Sequence, residues 1–231
     1  MSIQNLLLLI AGLINLMMFF VIVSRGLNNK INLYFGFLTF SNFLWTLSIL
    51  IARMGEGGMF WYYGGALLAY PIALGIVLSL YFFSRYFPVP GSKAKRFHDV
   101  LMLLSAFILS VVVYIRGAFV LSYNKDIINT EYTLYVNKPV YIVYSLYFTF
   151  VALLALWNLY HKIKVTDHYF QKQTIILFIA ILIGLVFGVY YDLILCYFGN
   201  YQYTWFGPVF TLFMNAVVFY FIISPKEKIS N

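Results

Sequence analysis

Thr174-Ile-Ile-Leu-Phe-Ile-Ala-Ile-Leu-Ile-Gly-Leu-Val-Phe-Gly-Val-Tyr-Tyr-Asp-Leu-Ile-Leu-Cys-Tyr-Phe198 contains one charged residue, Asp192. A bilayer core takes about 20 consecutive apolar residues to cross as a helix, and this stretch is long enough. Six more stretches of the same kind occupy residues 3–23, 33–52, 62–84, 100–121, 139–160 and 207–224. They are continuous rather than alternating, and about twice the length of a barrel strand, so helices are the spanning solution they predict. The fold class expected is an all-α, polytopic bundle of seven transmembrane helices, forming a single domain over residues 1–231.

Composition excludes most other classes. Of 231 residues, 63% are hydrophobic and 10% charged, with mean hydropathy +0.88. A water-soluble domain carries about 25% charged residues to cover its surface, so a soluble fold is excluded. Aromatic residues reach 21%, which suits lipid contact and interfacial belts. Cys196 is the only cysteine, too few for a disulfide framework or a thiolate metal site. The first apolar stretch has no Lys or Arg before it and exceeds the length of a signal-peptide core, so it is expected to persist as a helix.

The basic residues set an orientation. Arg25, Lys30, Arg85, Lys93, Lys95, Arg96, Lys162, Lys164, Lys172, Lys226 and Lys228 fall on one side of the seven spans; Arg53, Arg116, Lys125 and Lys138 fall on the other. The positive-inside rule then predicts the N-terminus outside, the C-terminus in the cytoplasm and residence in the inner (plasma) membrane. The net charge of +8 is accounted for by this bias and by contact with anionic lipid headgroups. No basic patch stands on a polar surface, so membrane lipids are expected partners and nucleic acid is not. Between spans four and five, Tyr132-Thr-Leu-Tyr-Val136 has strand-like composition, which leaves a small hairpin or lid and an irregular loop as the two readings.

Two ionisable residues fall at membrane depth. Asp192 lies about 27 Å along the sixth span and Arg116 about 24 Å along the fourth, counted from the same side at about 1.5 Å per residue. Charges at such depth face protein or water and mark functional sites by default. Gly184, Gly188 and Asp192 repeat at i, i+4 and i+8, which puts Asp192 on the face where a neighbouring helix approaches closely. One reading pairs Asp192 with Arg116 across an outward-opening cavity. In the other, Arg116 reaches the outer interface and Asp192 accepts hydroxyls from Tyr190, Tyr191 or Tyr197. Gly64, Gly65, Ala69 and Ala73 form a packing stripe on the third helix, and Pro71 predicts a kink there. Asn15, Asn42, Asn158 and Asn215 are read as hydrogen-bonding links between helices.

Catalytic and metal signatures are missing. His98, His161 and His168 all fall in loops without a ligand pattern, and there is no P-loop, nucleophile elbow or H-E-x-x-H. No cofactor and no metal are expected. The last span carries no lysine for a retinal Schiff base.

Three stretches resemble the N-terminal seven-transmembrane sensor region of bacterial histidine kinases. Asn32-Leu-Tyr-Phe-Gly-Phe-Leu-Thr-Phe-Ser-Asn-Phe-Leu-Trp45 is similar to that family's apolar span with a tryptophan. The segment from Trp61 through Tyr70-Pro71 to Phe83-Ser-Arg-Tyr-Phe-Pro88 resembles its third helix and aromatic, arginine-bearing edge. Tyr203-Thr-Trp-Phe-Gly-Pro208, with Phe210 and Tyr220, looks like its outer W-x-G-P turn. The resemblance implies signal input in a two-component system, without catalysis in this chain. A kinase or other signalling protein would act as a separate or missing partner, since no kinase domain follows Pro225 here.

The expected role is therefore a membrane-embedded sensor that binds an unknown small ligand. Its candidate lining is Asp192, Arg116, Trp205, Tyr70 and Trp61, with Gly184, Gly188, Gly65 and Ala69 as packing positions. The alternatives are a small-solute or proton transporter with Asp192 as coupling carboxylate, and an assembly subunit.

Overall fold

Hydrocarbon offers the backbone no hydrogen-bond partner, so apolar runs of this length bond to themselves as helices. A computed structural model describes residues 2–54, 59–89, 96–126 and 131–223, by backbone alone at 59–62, 96, 123–126, 131–133 and 223. Helix α1 is Ile3–Ser24, opened by the Ser2 hydroxyl accepting from the Asn5 amide at 3.2 Å. It closes at Arg25 and Gly26, whose φ of +89° a side chain would strain. Helices α2 (Lys30–Met54), α3 (Met59–Tyr86, with Pro71 inside), α4 (Arg96–Tyr114) and α5 (Lys138–Val165) follow. Helix α6 runs over His168–Tyr197 and contains a π-helical turn at Val189–Ile194; α7 is Phe206–Ile223. Six helices are long and apolar enough to cross a membrane, and the seventh is shorter.

The fourth span differs from the sequence expectation. Helix α4 stops at Tyr114 instead of continuing to residue 121. A turn follows, in which the Ala118 amide bonds the Ile115 carbonyl and Gly117 takes a φ of +77°. Hydrophobicity alone did not reveal this end, because Phe119-Val120-Leu121 is as apolar as the helix before it. Those residues lead into strand β1 (Val120–Asp126), which pairs antiparallel with β2 (Glu131–Val136), with the register shifting between Val120 and Ser122. Of the two readings left open, the hairpin forms. Alternation along it is strict at its base: Leu134 and Val136 are buried while Tyr135 is exposed. The buried face of the hairpin covers one end of the bundle.

Helices α1, α2, α3, α5, α6 and α7 each pack on the next, and α7 returns to α1, so six helices close a ring. Helix α2 also touches α7, while α4 lies outside the ring, chiefly on α3. In lipid, apolar side chains gain little by leaving the solvent, so close packing and interhelical hydrogen bonds hold such a ring together. Gly65 shows the packing: a Cβ there would stand 2.9 Å from the Ser48 carbonyl oxygen and 3.2 Å from the Ala52 amide, so α3 and α2 meet backbone to backbone. Ala69 sits one turn further along the same helix, half-buried against the core.

Polar links cross the ring at several heights. The Asn215 amide donates to Asn15 Oδ1 at 2.7 Å, tying α7 to α1, and Asn158 donates to the Ser84 hydroxyl at 3.1 Å, tying α5 to α3. Asn42 instead donates to the Leu38 carbonyl of its own helix. At the end away from the hairpin, Lys162 donates to the carbonyls of Phe87 and Val89, both at 2.7 Å, and Arg85 pairs with Asp99. At the hairpin end, Arg53 is fully buried and donates to Asn5 Oδ1 at 3.1 Å and Gln4 Oε1 at 2.5 Å.

Candidate functional site

Inside the ring, near the hairpin end, is a cavity of about 100 Å³ whose walls come from α2, α3, α5, α6 and α7. Small residues leave the space. Ala66, Ala69 and Ala73 line it from α3, and Gly184 and Gly188 line it from α6. A Cβ on Gly188 would meet nothing within 4 Å, and one on Gly184 would reach Met214 only at 3.8 Å. The i+4 glycine pattern suggested close helix approach; the structure instead places Gly188 on open cavity. Trp45, Tyr70, Tyr144 and Phe148 add aromatic wall, and Leu134 of the hairpin and Tyr201 of the α6–α7 loop complete it.

Asp192 also lines this cavity, from the π-helical turn of α6. A π-turn shifts the backbone bonding from i+4 to i+5 and widens the helix. Two carbonyls in the turn take a side-chain donor: the Tyr141 hydroxyl stands 3.2 Å from the Asp192 carbonyl and 3.1 Å from that of Leu193. The Asp192 carboxylate reaches the first turn of α7. A Cβ on Gly207 would collide with Oδ2 and stand 2.7 Å from Cγ, and equally 2.7 Å from Trp45 Cη2. Asp192 Oδ2 is buried and has no hydrogen-bond partner among the described residues. A carboxylate at a helix N-terminus gains from the positive end of the helix dipole, so α7 favours it there.

The other sequence-chosen positions divide. Tyr70 lines the cavity; its hydroxyl shares a hydrogen bond with that of Tyr201 at 3.1 Å, and its carbonyl accepts from the Tyr144 hydroxyl at 2.8 Å. Its ring meets Phe119 and Tyr144 edge-on at 4.8 and 5.5 Å between centroids. Trp205 stacks on Phe206 at 3.8 Å and packs against the core, and its Nε1 is buried with no partner among the described residues. Arg116 is exposed in the turn after α4, and among the described residues no ion pair joins it to Asp192. That removes the Asp192–Arg116 pairing: α4 ends at Tyr114 and Arg116 falls in the exposed turn that follows. Trp61 lies in α3, and its side chain is outside the described residues.

Trp45, Tyr144 and Tyr201 as cavity residues, and Gly207 as the contact of Asp192, escaped the sequence reading. Gly207 had a signal, the Trp205-x-Gly207-Pro208 turn, but nothing in the letters says which carboxylate it meets. Tyr144 had none, being one tyrosine among many. Among the described residues, no three His, Cys, Asp or Glu side chains converge as metal ligands would. In comparisons with known families and with curated proteins, the chain matches none.

Proposed function

We propose that this chain is the membrane-embedded input module of a signalling system, in which a small molecule enters the ring cavity and biases the packing of α6 and α7 against α3. The observation that carries the reading is Asp192, a carboxylate in a largely apolar cavity walled by five helices and a hairpin. Cavities of this kind, largely apolar with a few convergent polar groups, are ordinary small-ligand sites. A ligand changes the helix arrangement only by binding one arrangement better. The Tyr70–Tyr201 hydroxyl contact, joining α3 to the α6–α7 loop, is where such a difference would register. The likeness of three stretches to histidine-kinase sensor regions supports a kinase, separate or linked, as the responding partner.

In this reading the chain crosses the inner membrane seven times, with α7 as the last crossing and the hairpin outside. A cysteine at Asn200, exposed at the hairpin end, should react with a membrane-impermeant maleimide on intact cells, and one at Lys172 should not; the reverse pattern overturns the orientation. Binding is tested by screening small molecules and lipids for a rise in thermal midpoint, in wild type and Asp192→Asn. A rise seen only in wild type supports the site. Solute accumulation in proteoliposomes would instead make the chain a transporter with Asp192 as its coupling carboxylate.

A further inference from the structure

The cavity points to one ligand chemistry. We infer that it binds a small primary ammonium with an apolar body, the charged nitrogen on Asp192 and the body among the rings of Trp45, Tyr70, Tyr144 and Tyr201. The inference rests on the sensor reading above and names the chemical class of its ligand.

Three observations converge. First, among the described residues no Lys or Arg lines the cavity. The only ion pair among the described residues is Arg85–Asp99 at the other end of the bundle, Arg53 at the hairpin end is not part of the lining and donates to Asn5 and Gln4, Arg116 is exposed beyond α4, and Lys138 stands over the Tyr197 ring. A carboxylate in apolar surroundings is costly unless a cation or donor meets it, and Oδ2 has neither among the described residues. Second, the walls suit a cation. Aromatic rings attract ammonium groups through their quadrupole, most strongly where water is excluded. Tyr70 and Tyr201 spend their hydroxyls on each other and Tyr144 spends its own on the Tyr70 carbonyl. Third, the size selects. An apolar cavity of about 150 Å³ takes benzene, so one of about 100 Å³ takes a molecule of roughly four to five non-hydrogen atoms.

The probe is n-butylammonium, with 1-butanol as its neutral match in length and heavy-atom count. In nanodisc-held wild-type protein, n-butylammonium should raise the thermal midpoint at concentrations at least about tenfold lower than 1-butanol requires. Asp192→Asn should lose that advantage. The charge comparison is made in wild type, so it stands even if Asp192→Asn does not fold. Equal potency of the two probes in wild type, or no shift with either, would overturn the ammonium assignment. An ammonium advantage that persists in a folded Asp192→Asn would also overturn it. An Asp192-dependent shift caused by neutral molecules alone would overturn the ammonium class and leave the sensor reading intact. Uptake of n-butylammonium into proteoliposomes would do the opposite, supporting the recognition chemistry and removing the sensor.

Discussion

The carboxylate of Asp192 fills the place where a Cβ on Gly207 would stand. A residue in the π-turn of α6 is thus locked against the first turn of α7, with the Trp45 ring of α2 closing the third side. Three helices meet at a position where only glycine fits.

Gly207→Ala should therefore be severe. The new methyl meets a carboxylate and an indole edge, which must shift to admit it, and overpacking of this kind costs about 1–3 kcal/mol. Thermal unfolding in nanodiscs should show the loss. Adding Asp192→Ala should restore part of it, leaving the share due to Trp45, so the two substitutions will be non-additive in a double-mutant cycle. Additive losses would mean that the two residues do not touch.

Gly64 and Gly65 should respond oppositely to the same change. A Cβ on Gly65 runs into the backbone of α2, whereas one on Gly64 meets nothing within 4 Å. Gly65→Ala is expected to destabilise by about 1–3 kcal/mol. Gly64→Ala should be neutral or stabilising by up to about 1 kcal/mol, since alanine loses less backbone freedom in a helix. Thermal midpoints of the two variants, measured side by side, decide the matter.

The Asn15–Asn215 bond is fully buried between α1 and α7. Hydrogen bonds between membrane helices average about 0.6 kcal/mol and rarely pass about 1.7 kcal/mol. A cycle of Asn15→Ala, Asn215→Ala and the double variant should return a coupling in that range. A coupling of zero would mean that the pair is replaced at no cost by bonds within each helix.

Arg53 should tolerate no simple replacement. Its planar group serves Asn5 and Gln4 at once, anchoring the start of α1 to the end of α2. Hydrogen bonds to charged groups contribute about 1.5–3 kcal/mol, so Arg53→Met is expected to loosen α1 by that order. Arg53→Lys should rescue little, because a point charge does not reproduce the fork. Faster hydrogen exchange across the first turns of α1, with α5 unchanged, is the expected signature.

Tyr141→Phe isolates the π-turn. It removes the hydroxyl bonded to the carbonyls of Asp192 and Leu193 while keeping the ring. A buried carbonyl deprived of its donor costs about 1–3 kcal/mol. Amides of Val189–Ile194 should exchange faster, and ligand-induced stabilisation should weaken, since Asp192 is held by that turn.

Much of this arrangement was legible in the letters. Seven apolar runs predicted seven helices, and six of them have the length and apolarity to cross a membrane. Asp192 and Tyr70 were chosen as lining residues, and both line the cavity. Arg116 was misplaced because hydropathy does not register a turn: α4 ends at Tyr114, and the turn through Gly117 sits inside a run that stays apolar through Leu121. Arg53 was counted only as a loop charge, although it is among the most buried side chains of the bundle.

Solvent is what the sequence specified by itself. A chain this apolar must bury its backbone polarity in helices, and their number and approximate places follow from the spacing of its breaks, because those are local consequences of composition. Partners came only with the tertiary structure. The π-turn, the meeting of Asp192 with Gly207 and Trp45, the Tyr70–Tyr201 contact and the cavity they surround all depend on how six helices close into a ring. Residues far apart in sequence share that space, and their distances are set by the packing of helices rather than by any single segment.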